Sequence, residues 1–330
     1  MNAAPAVGLT VRLDTPLTWV NHRSVSSGAS FIQQTDRPSK GVRFAWTAAT
    51  SGASTQRAGA QHCDRHPARQ TAGIMSHMYS LGLDDDNAQV HLQRQLAVID
   101  IIEDLNTQLA EPPRLDSEMY ALDRTVLPDA PVSLINSMRR GLTASLDSLR
   151  PIAAHFKGEG PATLISLQSG IRTALMGASR VVFVLGPDES AVREANARIV
   201  LAQEWNSLNR ALRDFEKFEV LKAMAPPPGF VADMQERAAP LRGTAKQSET
   251  KTLILVAEEI GRQLARRYPD IEERTAKEAV LWIWHSASGS AHGFGWPTLT
   301  GGDFVTDFGT VVPASHLAFD AAVRRWASRS

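Results

Sequence analysis

Two histidines, His285 and His292, stand seven residues apart in the run WHSASGSAHGFGW, Trp284 to Trp296, which also holds three serines, three glycines and two tryptophans. Histidine titrates near neutrality and can take or give a proton, so a pair of them in one short polar stretch is a candidate acid/base site. On an unbroken helix, seven residues make nearly two turns and put both rings on one face about 10 Å apart, too far for one shared metal ion. The helical stripe reads as running out at Gly289, and a break there would leave that separation free. The competing reading is that His292 and the serines bond the orphan backbone groups of a helix end, with Gly293 and Gly295 permitting the turn.

Ser286, Ser288 and Ser290 do not make a hydrolase site, because no GxSxG elbow occurs in the chain and a helical pattern offers no strand-to-turn context for one. Cations come from upstream. Arg172, Arg180 and Arg198 are candidate anion-binding residues, with Arg193 beside them in sequence, and Arg172 and Arg180, eight residues apart, fall within about a quarter turn of each other. The alternative for these arginines is ion pairing with Glu189, Glu194 or Glu204 along neighbouring helices. Metal chemistry finds little support. His62, Cys63 and His66 offer three ligands where a structural zinc site takes four, and Glu258 and Glu259 lack an ExxH partner. No phosphate-binding glycine loop is present either, so neither a metal nor a cofactor is expected.

The elements that must position these residues read as helix after helix. Leu92, Leu96, Ile99, Ile102, Leu105 and Leu109 recur at three and four behind the acidic start Asp84 to Asp86, and Pro112 with Pro113 ends the run. A short helix follows around Ser117 to Asp123. A long run from near Asp129 places Ile135, Met138, Leu142, Leu146, Leu149 and Phe156 on one stripe, with Pro151 expected to kink or divide it. Leu164 to Leu185 is the most regular stripe and reads as the central helix, its Gly170, Gly177 and Ala178 small enough for a neighbour to come close. LGPDES then connects it to an antiparallel partner running to Phe215. After a Pro- and Gly-punctuated excursion at 225–249, with one short helix from Val231 to Ala238, helix returns through Leu253, Val256, Ile260 and Leu264 and restarts at Ile271. The pieces around Gly301 and Gly309 predict a small hairpin, and Pro313 to Trp326 a last helix. Trp205, Trp282, Trp284, Trp296 and Trp326 read as core and interface anchors.

With 330 residues, 43% of them apolar, the chain can bury a sizeable core. Its 35 basic and 35 acidic residues cancel, so no global field directs it to nucleic acid or a membrane. The first 70 residues differ, holding eight basic residues against three aspartates and no periodic pattern. Residues 1–73 are therefore expected to be a disordered leader, or sequence upstream of a true start at Met75 or Met78. Residues 74–330 form the helical domain. The longest apolar stretch carries Arg172 and Arg180 and reads as a buried helix rather than a membrane span, and a single cysteine fits a reducing cytoplasm.

The run LWIWHSASGSAHGFGW, preceded by the paired helices of LISLQSGIRTALMGASRVVFVLGPDESAVREANARIVLA, resembles a group of bacterial helical proteins with an SG-x-AHG signature and, more distantly, the HEPN superfamily. The likeness spans about Leu164 to Trp296. In active HEPN ribonucleases an arginine four to six residues before a histidine forms the working pair, usually across a dimer. The histidine would be His292, but the nearest titratable residue before it is His285, seven residues earlier, and no arginine occurs between Lys277 and His292. The resemblance thus implies an all-α bundle that dimerises through the helix pair and acts as a non-catalytic binding or assembly module. The alternative is an enzyme processing RNA or a nucleotide with His292, His285 and a helix arginine.

Overall fold

The computed structural model describes residues 79–327 apart from 84–85, 130, 216, 221–224, 243, 245–248, 269–270 and 301. The expected leader, the His62, Cys63 and His66 trio, Asp84 and Gly301 lie outside the described residues. Within them the chain is all-helical. Helix α1 covers Asp86–Gln108, α2 Glu118–Val126, α3 Leu134–Phe156, α4 Leu164–Leu185, α5 Ser190–Phe215, α6 Pro228–Arg237, α7 Glu249–Arg267, α8 Glu273–Ala291 and α9 Phe304–Ala327. Two single 3-10 turns, Ala239–Leu241 and Trp296–Leu299, also occur among the described residues. No helix among the described residues is long and apolar enough to cross a membrane.

The starts follow from local chemistry. Ser117, Ser133 and Thr163 each turn a side-chain oxygen onto a free backbone N–H of α2, α3 and α4, and Thr163 with Ser166 closes a reciprocal capping box. Pro151 neither divides α3 nor ends it. It sits on the exposed side, where the carbonyl it leaves unpaired one turn back faces water. The C-terminal hairpin is not observed: both pieces assigned to it lie in or just before α9, which starts nine residues before Pro313. Asp303 sets that start by accepting the Thr306 N–H at 2.7 Å, a cap strong enough to carry a β-branched and aromatic segment into helix. Pro313 follows one turn after Gly309, so the carbonyl it leaves without its helical partner is that of Gly309.

Helix α4 is the hub, as its unbroken apolar stripe predicts, touching α3, α5, α7, α8 and α9. Its crossing with α3 is a glycine contact. A Cβ on Gly177 would strike the carbonyl oxygen of Gly141 and come within 2.9 Å of the Ser145 amide nitrogen. The two backbones therefore meet at a distance only glycine allows. Helix α9 is the second organiser, lying against α1, α2, α3, α4, α7 and α8. Its Phe304 and Phe308 stack at 5.6 Å, and Phe156 of α3 joins Phe304 at 5.7 Å.

Two polar devices tie distant parts of the chain. Glu118 of α2 accepts from Arg193 of α5 and, at 2.7 Å, from Arg325 of α9; Arg193 is buried and also donates to the carbonyls of Pro187 and Asp188. The second device is a strap, Tyr79 to Leu83. Ser80 bridges in parallel to Asp303, and the Tyr79 hydroxyl donates to buried Asp307 of α9 at 2.6 Å.

Candidate functional site

Helix α8 runs through Gly289 to Ala291 without a break, so the expected stop at Gly289 is corrected. Gly289 has a different task. A Cβ there would come within 2.8 Å of both the Trp296 ring and Pro297, which fold back onto the helix. The stop comes three residues later. His292 is the cap, Gly293 takes the left-handed φ of 74°, the Gly293 N–H reaches the Ser290 carbonyl at 3.0 Å and the Phe294 N–H the Gly289 carbonyl at 2.9 Å. This is a Schellman ending. Backbone amides satisfy the last carbonyls, so the serine and histidine side chains are not consumed in the task that a helix end would have given them.

With the helix continuous, His285 and His292 share one face, about 10 Å apart along the axis. Both are exposed, on the side opposite the buried Ile283, Ser286, Ala287 and Ser290. Neither ring has a hydrogen-bond partner among the described residues, and the His292 ring lies 6.2 Å from that of Phe294.

Of the three candidate arginines the structure brings one to this face. Arg172 reaches from α4 to α8, where its Nε donates to Ser288 Oγ at 2.9 Å and its guanidinium carbon sits 4.8 Å over the Trp284 ring. Trp284 and Ser288 are one turn apart, and His292 is one turn further on. A cation over an indole face is attracted by the ring quadrupole, and the Nε bond fixes the plane. Both terminal nitrogens of Arg172 then remain without a partner among the described residues, and no carboxylate among them pairs with it. The chain has no acidic residue from Ala279 to Gly302. The result is a fixed, uncompensated fork of the kind that takes an oxyanion in two parallel bonds.

The other arginines go elsewhere. Arg180 pairs with Glu204 of α5, one of the carboxylates the sequence offered it. Arg198 has no ion pair among the described residues, but α5 lies on α2, α3 and α4 rather than on α8, so it is not brought to the histidines. The missed contributors are Trp284 and Ser288, whose one-turn spacing next to a basic apolar helix was the available signal. Around them Trp282 (36% exposed), Trp296 (40%) and Phe294 (60%) form an apolar flank, with the two indoles edge-on at 6.5 Å. Trp205 and Trp326 are core residues, as the sequence implies.

A depression of about 480 Å³ lies on α3 beside Asn136, Arg139, Arg140, Thr143 and Ala144. Arg139 there donates to the Ala110 and Glu111 carbonyls just past the end of α1, so its cation already serves a helix terminus whose dipole repels anions. No group of three or more His, Cys, Asp or Glu able to hold a metal occurs among the described residues. Compared with known protein families, curated proteins and solved structures, the chain matches none.

Proposed function

We propose that this chain is a non-catalytic binding module whose recognition face is the C-terminal half of α8, with Arg172 as its anion receptor. One observation carries the reading: Arg172 is held by Ser288 and Trp284 yet has no counter-charge among the described residues. Arg180, Arg193 and Arg150, by contrast, each pair with a carboxylate. The flank of Trp282, Phe294 and Trp296 would take a planar or apolar part of the same ligand. An RNA or nucleotide combines both features and agrees with the HEPN-like resemblance; homodimerisation belongs to the same reading.

The module is preferred to an enzyme because both imidazoles are exposed on α8 and no partner among the described residues fixes either tautomer. The second reading, an RNA- or nucleotide-processing enzyme using His292 with His285, is favoured by Arg172 lying about one turn from His292. Titration calorimetry with a short mixed-sequence RNA and with inorganic pyrophosphate tests the module. Arg172→Ala is expected to weaken binding at least about tenfold and Arg172→Lys to recover only part of it, since a lysine keeps the charge and loses the fork. Equal affinity in wild type and Arg172→Ala would reject the reading. Cleavage of an RNA pool by wild type but not by His292→Ala would install the enzyme in its place.

A further inference from the structure

The strap and the recognition face are neighbours through one short connection. The Tyr79 N–H donates to the Thr298 carbonyl at 3.3 Å and the Ser80 N–H to the Gly302 carbonyl at 3.2 Å. In return the Phe304 and Val305 amides donate to the Ser80 and Leu81 carbonyls at 2.9 and 3.3 Å. The strap thus holds both ends of the segment between the 3-10 turn Trp296–Leu299 and α9. That turn places Trp296 and Pro297 on Gly289 of α8 and sets the Trp296 ring against Trp282. Two glycines allow the fit: Gly82, with φ 71°, presses on the Asp303 side chain, and Gly302, with φ 132°, faces the Tyr79 ring.

The pin of this assembly is titratable. Asp307 is 7% exposed, and the one side-chain donor reaching its carboxyl among the described residues is the Tyr79 hydroxyl. An ionised carboxylate has about four lone-pair sites to satisfy, whereas the protonated acid needs fewer partners. The groups that bear on it electrostatically are Tyr79 from the strap and Asp303 from the start of α9. The buried Gln168 of α4, next to Tyr79, supplies only a neutral amide, and Phe156 of α3 with Phe304 and Phe308 lines the same helix start with apolar rings. No cation stands among them. Burial, offset in part by the Tyr79 bond and reinforced by Asp303, pushes the Asp307 carboxyl up to about 7.

We infer that Tyr79 and Asp307 form a proton-operated latch: protonated Asp307 keeps the strap closed, and its ionisation opens the strap and frees the turn that carries Trp296. Opening lets water reach the carboxylate by breaking the handful of backbone bonds that hold the strap, leaving α9 intact. The inference rests on the proposed function only for the purpose of the face it controls, not for the latch itself.

Hydrogen exchange of the full chain, without any ligand, tests it. After correction for the base-catalysed intrinsic rate, protection of the Ser80, Phe304 and Val305 amides should fall at least about tenfold between roughly pH 6 and pH 8.5, because each pH unit above the midpoint is tenfold in the equilibrium. Peptides covering 296–300 should lose protection together with the strap. In Asp307→Asn the fall should vanish. Wild-type protection that is flat with pH overturns the latch whatever the variant does, and an equal fall in both proteins assigns it to another group and overturns it too. A strap that opens while 296–300 stays protected overturns the link to Trp296. Failure of pyrophosphate or RNA to bind would reject the recognition face and leave these exchange results standing.

Discussion

Replacing Gly177 with alanine puts the α3–α4 crossing to a quantitative test. In a helix interior, alanine is favoured over glycine by about 1 kcal/mol, so on propensity alone the variant would be more stable. Packing opposes it. The new methyl would meet the Gly141 carbonyl oxygen and, at 2.9 Å, the Ser145 amide nitrogen, both fixed backbone atoms of a neighbouring helix that no rotamer change can move. Overfilling a tight contact typically destabilises by 1–3 kcal/mol, and a backbone-to-backbone contact between two central helices belongs at or beyond the upper end. The net expectation is a loss of about 2 kcal/mol, seen as a lower urea midpoint at unchanged slope and a fall in Tm of roughly 4–8 °C. Gly309→Ala is the matched control: that glycine lies inside α9 with nothing within 4 Å of a Cβ, so it should gain about 0.5–1 kcal/mol. Gly141→Ala should fall between, its methyl meeting the Gly177 carbonyl at 2.9 Å and the flexible end of Val181 at 3.1 Å. A Gly177→Ala protein as stable as wild type, alongside a stabilised Gly309→Ala, would refute the close crossing.

Glu118→Ala should destabilise by about 3 kcal/mol in chemical denaturation, because it leaves Arg193 and Arg325 facing each other beneath the surface without their shared carboxylate. With Asp307 holding its proton to about pH 7 when folded and releasing it near pH 4 when unfolded, global stability should decline across that window by up to about 1.4 kcal/mol per unit and level off above it. The difference between wild type and Asp307→Asn at pH 5 and pH 8 isolates this contribution, and a constant difference would refute it. His285→Ala and His292→Ala should each change stability by no more than about 0.5 kcal/mol, since both rings face solvent; a larger shift in melting temperature would contradict their placement.

Much of the architecture was legible because apolar spacing and helix punctuation are local signals. The stripe from Leu164 to Leu185 marks α4 as central, and the small Gly170 and Gly177 imply the close neighbours that the structure places there. The hairpin expectation failed for a reason of the same locality. Phe, Val and Thr around Gly309 favour a strand in isolation, but the Asp303 cap and the apolar trench between α1 and α4 select helix, and neither partner is near in sequence. Gly289 was misread as a stop because a glycine that breaks a helix and a glycine that admits a tryptophan look alike in one dimension. At the site, the sequence supplied Arg172, His285 and His292 but also Arg180 and Arg198. Only the crossing of α4 with α8, a long-range contact, separates the arginine that reaches the face from the two that do not. Tyr79 and Asp307, 228 positions apart, carried no sequence signal at all.

Helix α9 is the last helix described and the one on which α1 to α4, α7 and α8 converge. A chain emerging from the ribosome at about 5–20 residues per second would therefore present the apolar sides of α1 and α4 to solvent until α9 arrives. Closure of the bundle by its end rather than its beginning raises the share of long-distance contacts and slows folding accordingly. A chain shortened before Phe304 would leave an open greasy trench in place of a smaller bundle, a natural substrate for chaperones and proteases.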